Sequence, residues 1–468
     1  MKFLLLIITL NLFNSGFAED LTGKLKTVIK KHNFSEKSLG LYVEDEGKEI
    51  FGINSSRLMI PASLTKIVTG AAVLNSLPMN KKFDSSLWGK RASGESLESD
   101  LCFKGGGDPS FVSEKMWYLV NEFKRNNITK IPGDLVVDAS RFDEELFDSG
   151  RESVRVDRAF DAPVSAASFN WNSVNIFVRP AEKNGEPAKI FLDPENGYLE
   201  LENRTKTVSK NGVKSLEAKR EKVGDHDKII VSGSISLDTP EAVIYKSISN
   251  PSLWTGMHLK EFLKQRGIEI KGKVRVGECS KNFSELATAP SKNLNEIVSD
   301  MLKFSNNFVA EMLAKNLAAE TTKTSAHMKD GIEELKKYLD SLGIKRKDYV
   351  LENVSGLTRD NQFSPTQLAL VLDAIKNDFL IFPEFSSGLP IAGVDGTLKN
   401  RFKSKADSES KQALVRAKTG YLDGVVGLAG YVGRKNKSPL IFVFMYNGDY
   451  QKGLSARGLF DDLIAQLK

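Results

Sequence analysis

Ser63-Leu64-Thr65-Lys66 places a hydroxyl three residues ahead of an amine. On a helix, positions three apart share a face, so the two groups come within hydrogen-bond reach. A serine alkoxide is inaccessible at neutral pH, and a nucleophilic serine therefore needs a base beside it. Lysine serves as that base where burial and a nearby cation penalise its ammonium form. The spacing recurs at Ser408–Lys411, but that tetrad lies in a polar stretch that reads as a solvated loop, whereas Ser63 opens an apolar pattern. Two further groups carry chemistry. Lys418-Thr419-Gly420 ends an apparent strand and would offer a cation, a hydroxyl donor and a position with no side chain where a substrate backbone must approach. Ser305-Asn306-Asn307 is less specific, since Ser168–Asn170 and Ser173–Asn175 also fit S-x-N. Ser305 is preferred because it precedes the apolar helical positions Phe308, Val309, Met312 and Leu313 and lies between the other two groups in chain order.

The elements that must hold these residues come from both ends of the chain. Residues 21–32 have helical spacing, and Leu39, Leu41 and Val43 alternate as a strand that turns at Glu46-Gly47 into a second one. Pro61 is placed to start a helix whose face is Leu64, Ile67, Val68, Ala71 and Leu74. Helical spacing returns over 294–317, 332–342 and 367–375. Strands are then predicted at 413–420, 425–432 and 440–446, and a last helix over 459–467. Between these ends, residues 85–287 show many short strand-like runs with Gly and Asn turns. The economical reading is one α/β domain built from 19–84 and 288–468. It would carry a mostly β insertion of 85–179 and 238–287, with a smaller β-rich unit at 180–237.

Composition narrows the function classes. The 468 residues are 41% hydrophobic and 27% charged, as in a globular protein with a sizeable core. The net charge of +6 is spread over both signs with no basic block, so nucleic acid is not expected as a partner. Lys2, the apolar run Phe3–Phe13 and the small residues at Gly16 and Ala18 read as an export leader cleaved after Ala18, and no later segment is apolar enough to span a membrane. The four histidines are scattered without ligand spacing, and there is no G-x-S-x-G elbow, which argues against a zinc hydrolase and a histidine-based serine hydrolase. No metal or organic cofactor is called for. Cys102 and Cys279 would form one disulfide in an oxidising compartment or remain two buried thiols.

The order S-x-x-K, S-x-N, K-T-G resembles the penicillin-recognising serine acyltransferases, which comprise penicillin-binding proteins and serine β-lactamases. Ser63 and Ser305 stand 242 residues apart, a large insertion similar to that of the low-molecular-mass class C penicillin-binding proteins of the penicillin-binding protein 4 type. Lys104–Pro109, Gly133–Asp138, Ser355–Asn361 and Val394–Leu398 resemble the same group. The resemblance implies a transpeptidase-like α/β fold, an antiparallel sheet flanked by helices, in an exported, most naturally periplasmic, D-Ala-D-Ala carboxypeptidase and endopeptidase. Its substrates would be peptidoglycan stem peptides and cross-links, and β-lactams its covalent inhibitors. Ser63 would be the acylated nucleophile, Lys66 its base, and Ser305 and Asn307 a proton relay and amide holder. Lys418 and Thr419 would bind the terminal carboxylate, and the N–H groups of Ser63 and Tyr421, next to Gly420, would form the oxyanion hole. Asp138 and Arg359 would recognise a diaminopimelate side chain in a pocket that Phe142 lines. A β-lactamase, an esterase and a non-catalytic wall-binding or penicillin-sensing protein are the alternatives on this scaffold. The chain departs from the pattern at Asn353-Val354, where Asp-Gly is usual, and at Asp423, where a neutral Gln is found.

Overall fold

The computed structural model describes residues 20–148, 150–151, 157–322, 325–402 and 414–467; the expected leader and the tetrad Ser408–Lys411 fall outside them. The chain begins with a helix over 20–31 that buries Leu21, Leu25 and Ile29. A hairpin follows, β1 (Leu39–Asp45) and β2 (Lys48–Ile53), turned through the left-handed pair Glu46 and Gly47, the conformation a two-residue hairpin turn requires. After the helix α2 (Thr65–Ser76), the chain leaves through β3 (Ser85–Arg91) and returns on its antiparallel neighbour β15 (Ser284–Ala289).

The excursion between these two strands is not uniformly β. Its five-stranded sheet has the order β14-β6-β4-β3-β15, with β4 (Leu97–Lys104), β6 (Leu135–Asp138) and β14 (Val274–Val276). Helices Ser113–Lys124 and Pro251–Gln265 pack within it. The first buries Met116, Leu119, Val120 and Phe123, and the second starts on an Asn250 cap followed by Pro251, a standard helix opening. Residues 180–237 do not hold a core of their own. The strand Lys189–Asp193 pairs with Ser173–Arg179 across the expected boundary, and Ala218, Ile229 and Val231 share a hydrophobic cluster with Val174, Ile176 and Trp254. A disulfide joins Cys102 on β4 to Cys279 just beyond β14.

On return the described residues form the helices α5 (Leu294–Phe304), α6 (Asn307–Thr322), α7 (Met328–Ser341) and α8 (Pro365–Asn377) and a short one, Phe382–Gly388, then β16 (Val415–Leu422), β17 (Val425–Arg434) and β18 (Lys437–Asn447), and a C-terminal helix, Gly453–Ala465. The five-stranded sheet is antiparallel throughout, in the order β16-β17-β18-β1-β2. It is buried on both faces. Along β18, Leu440, Phe442, Phe444 and Tyr446 meet the N- and C-terminal helices, while Ile441, Val443 and Met445 meet α2 and the helical cluster, as the two-residue period of a strand dictates. Edge strand β16 is left beside the Ala62–Leu64 turn that precedes α2 and, through Lys418, beside Ser305 between α5 and α6. No helix among the described residues is long and apolar enough to cross a membrane.

Candidate active site

Ser63 sits in a tight turn, Ala62–Leu64, that runs directly into α2. The turn is held by close approaches that exclude side chains. Ala62 is left-handed (φ 48°), an uncommon conformation for a residue with a Cβ. A Cβ on Gly356 would lie 2.0 Å from Ala62 O, and one on Gly420 would lie 2.7 Å from Pro61 O. The K-T-G glycine therefore makes room for the turn that carries Ser63, not only for a substrate.

One helical turn on, Lys66 is fully buried. Its Nζ lies 2.7 Å from Asn307 Oδ1, 2.5 Å from the Ser355 carbonyl oxygen and 3.1 Å from Ser63 Oγ. Two of these partners only accept. A neutral amine would donate to both and keep its lone pair for the one partner with a proton to give, the Ser63 hydroxyl. Burial pushes the Lys66 pKa down to about 7; Arg151 adds to the effect and Glu311 opposes it.

Ser305 breaks what reads in sequence as one helical stretch from 294 to 317. It caps α5 in a left-handed conformation (φ 55°), and α6 restarts at Asn307. Ser305 Oγ accepts from Lys418 Nζ at 2.8 Å, and Asn307 Nδ2 donates to the Phe160 carbonyl oxygen at 3.0 Å. Lys418 also donates to Thr419 O at 2.7 Å and is fully buried, and burial, with Lys66 nearby, drives its pKa well below the ordinary lysine value. Ser63, Ser305, Thr419, Gly420 and Tyr421 line one cavity of about 270 Å³ together with Thr397, Arg401 and Arg457. Ala417 N donates to Pro390 O on the side of β16 away from β17. By the strand's two-residue period the N–H groups of Thr419 and Tyr421 face the same way, off the sheet edge.

Beneath Lys66 lies a polar network that sequence reading missed. Arg151 pairs with both Glu311 and Asp161, and all three are buried. Ser355, whose carbonyl oxygen holds Lys66, donates its hydroxyl to Glu311 at 3.0 Å. Asn353 accepts from the N–H groups of Ser355 and Leu357 and donates to Asp148 at 2.8 Å and to Glu311 at 3.4 Å. An aspartate here could not donate, which accounts for the asparagine in Asn353-Val354-Ser355. The Asp148 carboxyl is pushed up to about 6 by burial and by Glu311. The signal for Glu311 was present: it stands four residues after Asn307 on the same helix face.

The expected side-chain pocket is not assembled as foreseen. Asp138 is buried, and its carboxylate accepts from Ser140 N and Cys279 N, both at 2.9 Å. With Phe142 it lines a separate cavity of about 350 Å³ that Ser63 does not reach. Arg359 lines neither cavity; it donates to the Asp423 carbonyl oxygen at 2.5 Å, tying the loop after Ser355 to the β16–β17 turn. Asp138 is thus committed to main-chain bonds beside the disulfide. The residue that does stand next to Asn307 is Phe160, with 54% of its surface exposed. It borders a groove of about 920 Å³ lined also by Asp157, Arg158, Tyr245 and Lys246.

Comparison with known proteins places the whole fold in a family. Residues 21–467 match the D-Ala-D-Ala carboxypeptidase 3 (S13) family. A D-alanyl-D-alanine carboxypeptidase of Actinomadura sp. (strain R39) is 30% identical over 401 residues, covering 82% of this chain and 73% of the relative. The D-alanyl-D-alanine carboxypeptidase DacB of Haemophilus influenzae is 28% identical over 407 residues, covering 86% and 84%. The crystal structure of penicillin binding protein 4 from H. influenzae superposes with a TM-score of 0.78 at 25% identity, over 95% of this chain and 99% of that one. The same protein complexed with a β-lactam gives 0.74 at 26% identity, again over 95% and 99%. The expected α/β fold, an antiparallel sheet flanked by helices, is the fold of this chain.

Proposed function

We propose that this chain, which belongs to the D-Ala-D-Ala carboxypeptidase 3 (S13) family and is of the penicillin-binding protein 4 type, acts in the periplasm on peptidoglycan, trimming stem peptides and opening cross-links through an acyl-enzyme on Ser63. The neutral Lys66 amine takes the Ser63 proton as Oγ attacks the carbonyl carbon of the penultimate D-alanine. The developing oxyanion meets the N–H groups of Ser63 and Tyr421, which act on charge that appears only in the transition state. As the C–N bond breaks, the proton passes from Lys66 to the leaving amine, with Ser305 and Asn307 as the nearest polar groups. Water then attacks the ester, Lys66 accepts a proton from it, and Ser63 is restored. A β-lactam would acylate the same oxygen but keep its amine tethered, which blocks the water. In a cross-link, the leaving amine belongs to a diaminopimelate and not to D-alanine. Phe160, exposed next to Asn307, offers apolar surface to the substrate side chain.

The observation that carries this reading is the fully buried Lys66 amine, with two fixed acceptors and its third contact on Ser63 Oγ. The test is digestion of monomeric and cross-linked muropeptides, with labelling by a fluorescent penicillin, for the wild type and Ser63→Ala. The wild type releases D-alanine, separates cross-linked peptides and takes the label; the variant does none of these. A variant that still formed the covalent adduct would move the nucleophile elsewhere. Rapid penicillin turnover without D-alanine release would make the enzyme a β-lactamase.

A further inference from the structure

Carboxylate recognition was expected of Lys418, whose amine already has two fixed partners in the structure. Its amine is buried, its donors go to Ser305 Oγ and Thr419 O, and its surroundings disfavour the ammonium form. The cavity holding Ser63 has other cations. Arg401 and Arg457 both line it. Arg401 is matched by Asp461, which accepts from its Nη2 at 2.5 Å and its Nε at 3.4 Å. Arg457 stands on the second turn of the C-terminal helix, between the buried anchors Ala456 and Leu459. Its guanidinium stacks 4.5 Å from the centre of the Tyr421 ring, and among the described residues it has no carboxylate partner. Stacking fixes the plane of a guanidinium while leaving its N–H edge free for a planar anion. Two guanidinium groups sharing one small cavity raise its positive potential, which a bound anion relieves.

We propose that Arg457 is the residue that recognises the free carboxylate of the D-amino acid to be released, with the Thr419 hydroxyl beside it and Arg401 adding to the field. The assignment rests on the acyl-enzyme reading above and specifies its substrate class. The scissile bond must be followed by a D-amino acid whose carboxylate is unblocked, a condition that terminal D-alanine and the D-centre of a cross-linked diaminopimelate both meet. An amidated leaving group would be a poor substrate.

The test uses the mature full-length enzyme, an N-acylated tripeptide ending in D-Ala-D-Ala, and the same peptide as its C-terminal amide. The wild type favours the acid. Arg457→Gln lowers kcat/KM for the acid by about ten- to a hundredfold, mainly through KM, as loss of a charge-assisted hydrogen-bond pair implies, and changes the amide by less than about threefold. The preference therefore collapses. Arg457→Lys, which keeps the charge without the stacked plane, retains a preference for the acid and serves as the reading if the glutamine variant shows no cooperative thermal transition. Equal losses on both substrates would mean that Arg457 only steadies Tyr421, and no loss on either would remove it from the site; each result overturns the proposal. Failure of the wild type to be labelled by penicillin at Ser63 would instead strike the underlying reading, so the two failures are told apart.

Discussion

The protonation of Lys66 sets a pH profile that can be worked out in advance. At pH 7 an amine with the ordinary pKa of 10.5 is neutral in only about 0.03% of molecules, whereas one at about 7 is neutral in about half. Burial therefore raises the population of the free base by about 1,500-fold, equivalent to about 4–5 kcal/mol taken from the ammonium form. The second-order rate of acylation by a fluorescent penicillin is expected to rise about tenfold per pH unit on the acid side, bend near pH 7 and then level, since only the neutral amine accepts the Ser63 proton. Glu311→Gln is the informative perturbation. Glu311 favours the ammonium and Arg151 disfavours it, so neutralising the glutamate shifts the bend to lower pH. Arg151 keeps Asp161 as a partner, but breaking a buried pair costs about 3–5 kcal/mol, so thermal stability is measured alongside. The same amine has a stability signature. Between about pH 7 and 10.5 the unfolded chain holds a proton that the folded chain lacks, so this group's contribution makes stability rise with pH. An acylation rate that stayed flat from about pH 5 to 8, or a Glu311→Gln bend that moved to higher pH, would refute the reasoning.

Two further outcomes test the scaffold under the site. Gly356 and Gly343 share a φ of 77°, but a Cβ at Gly356 meets Ala62 O at 2.0 Å, while one at Gly343 meets nothing within 4 Å. Gly343→Ala should lose about 1 kcal/mol from backbone strain, and Gly356→Ala at least about 2 kcal/mol more, together with penicillin labelling, as read by thermal denaturation and gel fluorescence. Asn353→Asp turns a donor to Asp148 and Glu311 into a third carboxylate. It should cost about 1–3 kcal/mol at neutral pH, and the loss should shrink below about pH 6 as Asp148 takes up its proton, measured by denaturant unfolding at two pH values.

How much of this could be read from the sequence depends on the range of the interaction. Ser63 and Lys66 lie on consecutive turns, so their spacing alone implied the contact, and the order of the three motifs was enough to name Asn307 and Lys418 as their companions. The β1–β2 hairpin was equally local. The supports of the site are not. Lys66 is held by a carbonyl oxygen 289 residues away, and nothing in the stretch around Ser355 announces that. Arg151 reads as one of many surface arginines until it is seen between Glu311 and Asp161. The helix Ser113–Lys124 was legible in principle, since Met116, Leu119, Val120 and Phe123 repeat at helical spacing; the surrounding short β runs concealed it. Asp138 illustrates a different limit. A carboxylate at a strand end is chemically apt for recognition, but only its surroundings reveal that two main-chain N–H groups already occupy it.

The two lysines show how burial bears on a charge that residue type alone leaves open. Lys66 was read as a base and Lys418 as a cation, and the fold seals both away from solvent, where the proximity of Lys66 adds to the penalty on the Lys418 ammonium. Two buried ammonium groups so close together are unfavourable, because each loses its hydration and feels the other. The arrangement settles if the amines act as proton acceptor and hydrogen-bond donors: Lys66 toward Ser63, and Lys418 toward Ser305. Permanent charge is then left to guanidinium groups, which do not deprotonate. Arg151 lies beneath Lys66, matched by two carboxylates, and Arg457 stands in the cavity with none among the described residues. On this account the site binds a carboxylate across the whole range in which Lys66 titrates. KM for an acid substrate should therefore stay nearly constant from about pH 5.5 to 8.5 while kcat follows the amine; a KM that rose in step with loss of a proton near pH 7 would return carboxylate binding to a lysine.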